Sequence, residues 1–355
     1  MLPLDSMLKL GGAGSGPLEP TPKDTIFREG TAQLYRFRPA SGQAKAGLPL
    51  LLVPSLINRW YVLDLREKAS FAGAMVKAGI DTYCLDWGIP GDEDRYLTWE
   101  NVLARLGRAV RMVQRNTGAP KVGVLGYCMG GTLSAIWTAL NPDKVAALIN
   151  LAGPIDFSQA GLLGQMVQPE HFDVGAIAAA GNVAPLQMQS GFTAMRPTLQ
   201  MAKWVGLAAR ASDKDAVAAF NALEDWSNDN VPFPAAAYET YIRELYQQNK
   251  LVAGEHHVGG KRAHLGSITC PVMTIVAERD TICPPPAATA LNTNVGSKDT
   301  TVLSVPGGHV GAVVGGKAST VTYPKVAAWL HEKLAARASA PPTGKKPQAT
   351  PSPDA

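Results

Sequence analysis

Short apolar runs alternate with stretches of helical spacing along most of this chain. The runs are residues 48–53 (LPLLLV), 80–85 (IDTYCL), 121–125 (KVGVL), 145–151 (VAALINL), 272–277 (VMTIVA) and 300–305 (TTVLSV). The first is continuously apolar, as expected of a strand buried on both faces. Helical spacing covers residues 65–78, 98–115, 131–140 and 320–335, with Thr98 placed to cap the second of these. Strand–helix alternation predicts an α/β fold, with a mostly parallel sheet and helices on both of its faces.

The alternation lapses over residues 155–265, which carry helical segments and aromatic residues but no clear buried strand. A loop of about 110 residues would not lack structure of its own, so this block reads as a helical cap inserted into the catalytic domain. Residues 1–23 are rich in Gly and Pro and read as a flexible lead-in. Residues 337–355 are rich in Pro, Ser, Thr and Lys, cannot build a core, and read as a disordered tail. The catalytic domain is therefore expected over residues 24–336.

Composition narrows the function. Apolar residues make up 46% of the 355 and charged residues 17%, which suits a sizeable core. The formal charge of +4 comes without a basic run, which argues against a nucleic-acid partner. Four cysteines in a chain this long make no disulfide framework, and without a CxxC pair or clustered histidines they suggest no zinc site. Cys84 and Cys270 adjoin strand-like runs and read as small buried residues. This usage fits a reducing cytoplasm. The N-terminus does not read as a secretory signal, and no apolar stretch reaches the roughly 20 residues of a membrane span.

The run 121–125 leads into Gly126-Tyr127-Cys128-Met129-Gly130, and a helix follows. In α/β-hydrolases a G-x-S-x-G turn at this place holds the nucleophile on a sharp bend between strand and helix. Here sulfur replaces oxygen. A free cysteine is often only a small buried residue. The flanking glycines, the following Gly131 and the strand–turn–helix context instead favour Cys128 as nucleophile. The backbone N–H of Met129 then serves the oxyanion hole. A second N–H is expected from the loop after the first run, with Leu56 and Ile57 as candidates.

A triad of this fold follows the chain order nucleophile, acid, histidine. Asp280 lies just past the run 272–277, and His309 lies in a glycine-rich loop after the run 300–305. Either residue alone reads equally well as a turn residue. Both lie after the correct strands and in the correct order, which marks Asp280 as the acid and His309 as the base. Glu278 competes for the acid role from a position nearer the strand. The remaining histidines lack such a setting and are expected mostly at the surface, although His171 is placed to reach the site from the cap. Trp204, Phe220, Trp226, Phe233, Tyr238 and Tyr241 would form an apolar cover, or simply pack the cap.

Together these motifs resemble the polyhydroxyalkanoate synthases. The matching segments are residues 53–65 (VPSLINRWYVLDL), 85–88 (LDWG), 126–131 (GYCMGG), 246–251 (YQQNKL), 277–280 (AERD) and 307–311 (GGHVG). The likeness runs from about Thr25 to Leu334. The length is similar to that of the short, class III catalytic subunits. The box reads Tyr-Cys-Met where that class more often has Ile-Cys-Gln, and the Ala- and Gly-rich stretch 161–212 does not align.

The resemblance implies polymerisation of (R)-3-hydroxyacyl-coenzyme A on Cys128, with release of coenzyme A and no cofactor. His309 would activate the thiol and Asp280 would support it. It further implies a growing polyester chain as ligand, a second synthase subunit, a homodimer or hetero-oligomer, and a place at the polyester granule surface. Arg59 and Lys250 are candidate coenzyme A contacts. Two other readings stand beside this one: a cysteine-nucleophile hydrolase or acyltransferase acting on esters or thioesters, and a non-catalytic granule protein.

Overall fold

The computed structural model describes residues 17–39, 49–195 and 199–338. Residues 1–16 and 339–355, most of the two ends expected to be flexible, lie outside the described residues. A strand begins at Lys23, and the final helix runs to Ala338.

Eight strands form one sheet. They are β1 (Lys23–Glu29), β2 (Ala32–Phe37), β3 (Leu50–Val53), β4 (Thr82–Asp86), β5 (Val122–Tyr127), β6 (Val145–Leu151), β7 (Val272–Ala277) and β8 (Thr300–Val305). Their spatial order is β1-β2-β4-β3-β5-β6-β7-β8. From β4 to β8 every pairing is parallel, and β1 and β2 close one edge by antiparallel pairing. The six apolar runs are the six parallel strands. β3 to β7 are buried along their whole length, as a sheet covered on both faces requires.

The edge hairpin β1–β2 was not legible as strand. No residue of β1 is buried, β2 mixes buried with half-buried positions, and the pair includes Arg28, Glu29 and Arg36. Arg36 pairs with Asp81 at 2.9 Å, and Glu29 accepts from both Arg105 and Arg108. These ion pairs fasten the edge to the neighbouring strand and helix.

Three helices frame the central strands: α1 (Phe71–Lys77), α2 (Trp99–Thr117) and α3 (Met129–Leu140). Thr98 caps α2 as expected, accepting from the Asn101 N–H at 3.2 Å, and Gly118 ends it in the left-handed conformation. Met129 to Ala139 of α3 are all buried, so this helix is a core element rather than a surface one. Helix α1 is shorter than its spacing suggests. Residues 64–66 and 69–70 form a small antiparallel pair instead, and the helix begins only after Ser70.

The cause lies in Asp64, which is fully buried. Its carboxylate accepts from the Ser70 hydroxyl at 2.6 Å and the Thr21 hydroxyl at 2.7 Å, while Ser70 Oγ accepts from the Gly73 N–H. Ser70 is thereby held as the N-cap, and α1 cannot start earlier. Burial pushes the Asp64 carboxyl up to about 6 from 3.8, with the hydrogen bonds opposing only in part. The folded state therefore holds this proton across that window and loses stability as pH rises through it. The full shift corresponds to about 3 kcal/mol. Unfolding of wild type and Asp64→Asn in urea at about pH 4 and pH 7 checks this. The wild type should lose stability relative to Asp64→Asn on going to the higher pH.

Candidate active site

The site forms where the carboxyl ends of the parallel strands open, the usual ligand position for such a sheet. Cys128 follows β5 directly and adopts φ +56°, a left-handed conformation rare for a residue with a side chain. Its N–H donates to Leu151 O at 2.9 Å, and its carbonyl accepts from the Gly131 N–H at 2.8 Å. No side chain fits around this turn. A Cβ on Gly126 would lie 2.2 Å from Gly130 O, and one on Gly130 would lie 2.0 Å from Val53 O. The turn thus binds β5, α3 and the end of β3 into one unit. Asn150, buried in β6, supports it from the other side by bonding both the N–H and the carbonyl of Gly153. A polar residue inside the run VAALINL was the signal of that support.

Cys128 caps α3, so the N–H of Met129 is the first of that helix and has no intrahelical acceptor. Both Leu56 and Ile57 lie buried in the loop after β3, but only Ile57 borders the cavity beside Cys128. Trp87 Nε1 donates to Pro54 O at 2.9 Å and anchors that loop.

Asp280 and His309 meet. His309 Nδ1 lies 2.7 Å from Asp280 Oδ2, and the other carboxylate oxygen accepts from the N–H groups of Ile282 and Cys283, both at 2.9 Å. The two loops are tied by backbone bonds from Glu278 N to Val305 O and from Arg279 N to Gly307 O. Glu278 is exposed and takes no part in the Asp280–His309 contact. Burial alone pulls the His309 pKa down. The charge of a Cys128 thiolate and the Asp280 carboxylate outweigh it and leave the imidazole above its ordinary range. The buried Nε2 has no formed hydrogen bond, so the sulfur acts on it through proximity and charge. Contacts of this kind tighten when substrate is bound.

Two recesses meet at Cys128 and His309. One is apolar, about 210 Å³, and reaches under the cap helices. The other is polar, about 590 Å³, and carries Arg279, Lys203 and several Asn and Gln side chains. Of the cap aromatics, Phe233, Tyr238 and Tyr241 line the apolar recess and Trp226 the polar one, while Trp204 and Phe220 pack on each other at 4.9 Å. Residues Tyr241–Gln247 form a π-helix, whose wider turn puts Tyr241, Ile242 and Tyr246 together on the recess wall. That widening has no sequence signal.

Two expectations are corrected, for His171 and for Arg59 with Lys250, and the remaining histidines are mostly exposed as expected, with His256 the exception. His171 is exposed and bonds Gln165 O, away from both recesses. His256 is fully buried, with Nδ1 2.9 Å from a Glu244 carboxylate oxygen. Arg59 and Lys250 border neither recess and pair with Asp229 and Glu244. The arginine at the site is Arg279, which sequence reasoning passed over as part of the turn.

A cysteine on a glycine-bounded turn after the central strand, with a histidine–carboxylate pair beyond the last two strands, defines a member of the α/β-hydrolase class. A model of the alpha/beta hydrolase fold matches residues 49–315. Solved structures agree on the fold. A putative lipase from Sulfolobus solfataricus superposes with a TM-score of 0.58 at 14% identity, covering 88% of this chain and 93% of that one. Est1E from Butyrivibrio proteoclasticus gives 0.53 at 14% identity, over 89% and 100%.

A second model, of the poly-beta-hydroxybutyrate polymerase (PhaC) N-terminus, matches residues 16–75. The poly(3-hydroxyalkanoate) polymerase subunit PhaC of Allochromatium vinosum is 34% identical over 317 residues, 88% of this chain and 89% of that protein. The protein of the same name from Synechocystis is 33% identical over 322 residues, 88% and 85%. The chain belongs to the poly(3-hydroxyalkanoate) polymerase family, PhaC.

The four thiols should differ sharply in reactivity. Cys84 and Cys283 are buried, and burial pushes both well above the ordinary thiol range. Cys270 is also buried, and only Cys128 is partly exposed. Limited iodoacetamide labelling followed by peptide mass mapping should modify Cys128 first. His309→Gln should slow that labelling by about ten-fold or more, because the base beside the sulfur is gone.

Proposed function

We propose that this chain polymerises (R)-3-hydroxyacyl-coenzyme A into polyester through an acyl group carried on Cys128. The observation that supports this most directly is the pairing of a sulfur nucleophile with a buried His309–Asp280 couple at the junction of two recesses. His309 Nε2 takes the thiol proton, and the Cys128 thiolate attacks the thioester carbonyl. The N–H groups of Met129 and Ile57 receive the developing oxyanion. The coenzyme A sulfur leaves and takes the proton back from His309.

Sulfur suits the second half-reaction. Exchange of one thioester for another is nearly balanced, so the acyl group stays reactive. The 3-hydroxyl of a growing chain or a second monomer then attacks it. The C–S bond to Cys128 breaks, an oxoester forms, and the hydroxyl proton passes to the departing sulfur by way of His309.

His309 rather than Asp280 is the base for that hydroxyl. Both Asp280 oxygens are engaged, one by His309 and one by two backbone N–H groups, and Asp280 borders neither recess. Its role is to hold the ring in the tautomer with Nδ1–H, leaving Nε2 as the acceptor. The apolar cover of Phe233, Tyr238 and Tyr241 keeps water from the acyl group, which would otherwise end the chain.

The chain works with a second synthase subunit, at the polyester surface. No helix among the described residues is long and apolar enough to cross a membrane, so attachment there is peripheral. Residues 24–336 act as the catalytic unit, with the cap between β6 and β7.

Coenzyme A release from 3-hydroxybutyryl-coenzyme A, with the product weighed as polymer, tests the reading with and without a class III partner subunit. Cys128→Ala should abolish release. Asp280→Asn should lower it by roughly 10²- to 10⁴-fold. Soluble hydroxyacid without polymer would mark a hydrolase instead, and release that survives Cys128→Ala would end the covalent mechanism.

A further inference from the structure

The two recesses at Cys128 differ in kind. The apolar one has a buried floor that includes Val183, Phe233, Tyr241 and Ile242, all less than a tenth exposed. Among the described residues, the only ionisable groups on its wall besides Cys128 and His309 are Cys283 and three tyrosines. Burial raises all four, which keeps them neutral. A phosphate or a carboxylate has no counter-charge there and would lose its hydration. The polar recess carries Arg279, amide side chains and the ion pair of Lys203 with Glu224, and it offers Arg279 to the charged coenzyme A end of the substrate. The apolar one is left for hydrocarbon.

We propose that the apolar recess receives the monomer's side chain and admits alkyl groups longer than the methyl of 3-hydroxybutyrate, with Gly191 on its wall setting the limit. This rests on the polymerase reading above. A water needs roughly 10–15 Å³ of space open to its centre, so about 210 Å³ is ample for the propyl side chain of a 3-hydroxyhexanoyl group beside the reacting carbons.

Met188, Gly191 and Phe192 of that wall all come from the cap helix Pro185–Ala194. Gly191 borders the recess, and a Cβ there would meet nothing within 4 Å, so the position accepts a larger side chain without a clash. The apolar lining separates a side-chain pocket from the path of the polyester chain. A lengthening chain needs an exit, and the polar recess is the side that carries it.

The experiment compares coenzyme A release from 3-hydroxybutyryl- and 3-hydroxyhexanoyl-coenzyme A. Burying each added methylene favours the longer substrate by up to about four-fold, so the wild type should use the six-carbon thioester at least as well. Gly191→Leu places a branched side chain in the recess at a helix-interior position, where leucine is better tolerated than glycine. It should lower the six-carbon to four-carbon ratio of kcat/KM by ten-fold or more. Gly206→Leu is the control. Its Cβ also meets nothing within 4 Å, but it borders neither recess, so the ratio should stay within two-fold.

A wild type that turns over the four-carbon thioester and not the six-carbon one overturns the proposal while leaving the polymerase reading intact. Equal loss of both in Gly191→Leu also overturns it, and assigns the recess to the polymer chain. A wild type inactive on both, with and without the partner subunit, overturns the polymerase reading and this proposal with it.

Discussion

The backbones of three elements touch without side chains between them at the end of the central strands. Gly126, Gly130 and Gly131 let the end of β3, the turn after β5 and the start of α3 approach to distances no Cβ allows. This contact holds Cys128 at a positive φ, with its sulfur outside the sheet edge and the first N–H of α3 beside it. A larger residue at any of the three would have to push backbone aside or displace the Asn150 side chain, and overpacking of this kind typically costs about 1–3 kcal/mol. The strain at Cys128 persists because β5, β6 and α3 are buried on all sides and have nowhere to relax.

The rest of the site depends on a second constraint, the hydrogen-bonded link between the loops after β7 and β8. Parallel pairing brings the ends of those strands level, at Ala277 and Val305. Backbone bonds then fix the loops against each other, and the Asp280–His309 bond closes the gap between their side chains. A buried carboxylate is tolerable here because both of its oxygens are hydrogen-bonded, one by the ring N–H and the other by two backbone N–H groups. The resulting histidine is committed in direction: Nδ1 to the acid, Nε2 to the sulfur. Chemistry is thereby confined to the face where the two recesses join.

What the sequence made legible follows from burial. The parallel strands are predominantly apolar and five of the six are buried along their length, and their ends carry the chemistry, so the positions of Cys128, Asp280 and His309 could be read from run lengths and chain order. The edge hairpin β1–β2 escaped because an edge strand needs no continuous apolar run and is held by Arg36–Asp81 and by Glu29 with its two arginines. The start of α1 escaped because a buried Asp64 two turns upstream recruits Ser70 as its cap. The buried His256 escaped for a similar reason: its partner, Glu244, lies twelve residues away on the π-helix.

By itself the sequence determined the sheet's parallel core, the turn that holds the nucleophile and the order of the acid and the histidine, because each depends on local patterning or on spacing along the chain. Only the tertiary structure decided that the site has two unlike recesses, that Arg279 rather than Arg59 or Lys250 stands at the polar one, and that Gly191 borders the apolar one. Those facts depend on how the cap folds back over Cys128 and on a π-turn that rotates three side chains onto one wall. Neither leaves a period or a spacing in the chain, because each is set by contacts between residues far apart in sequence.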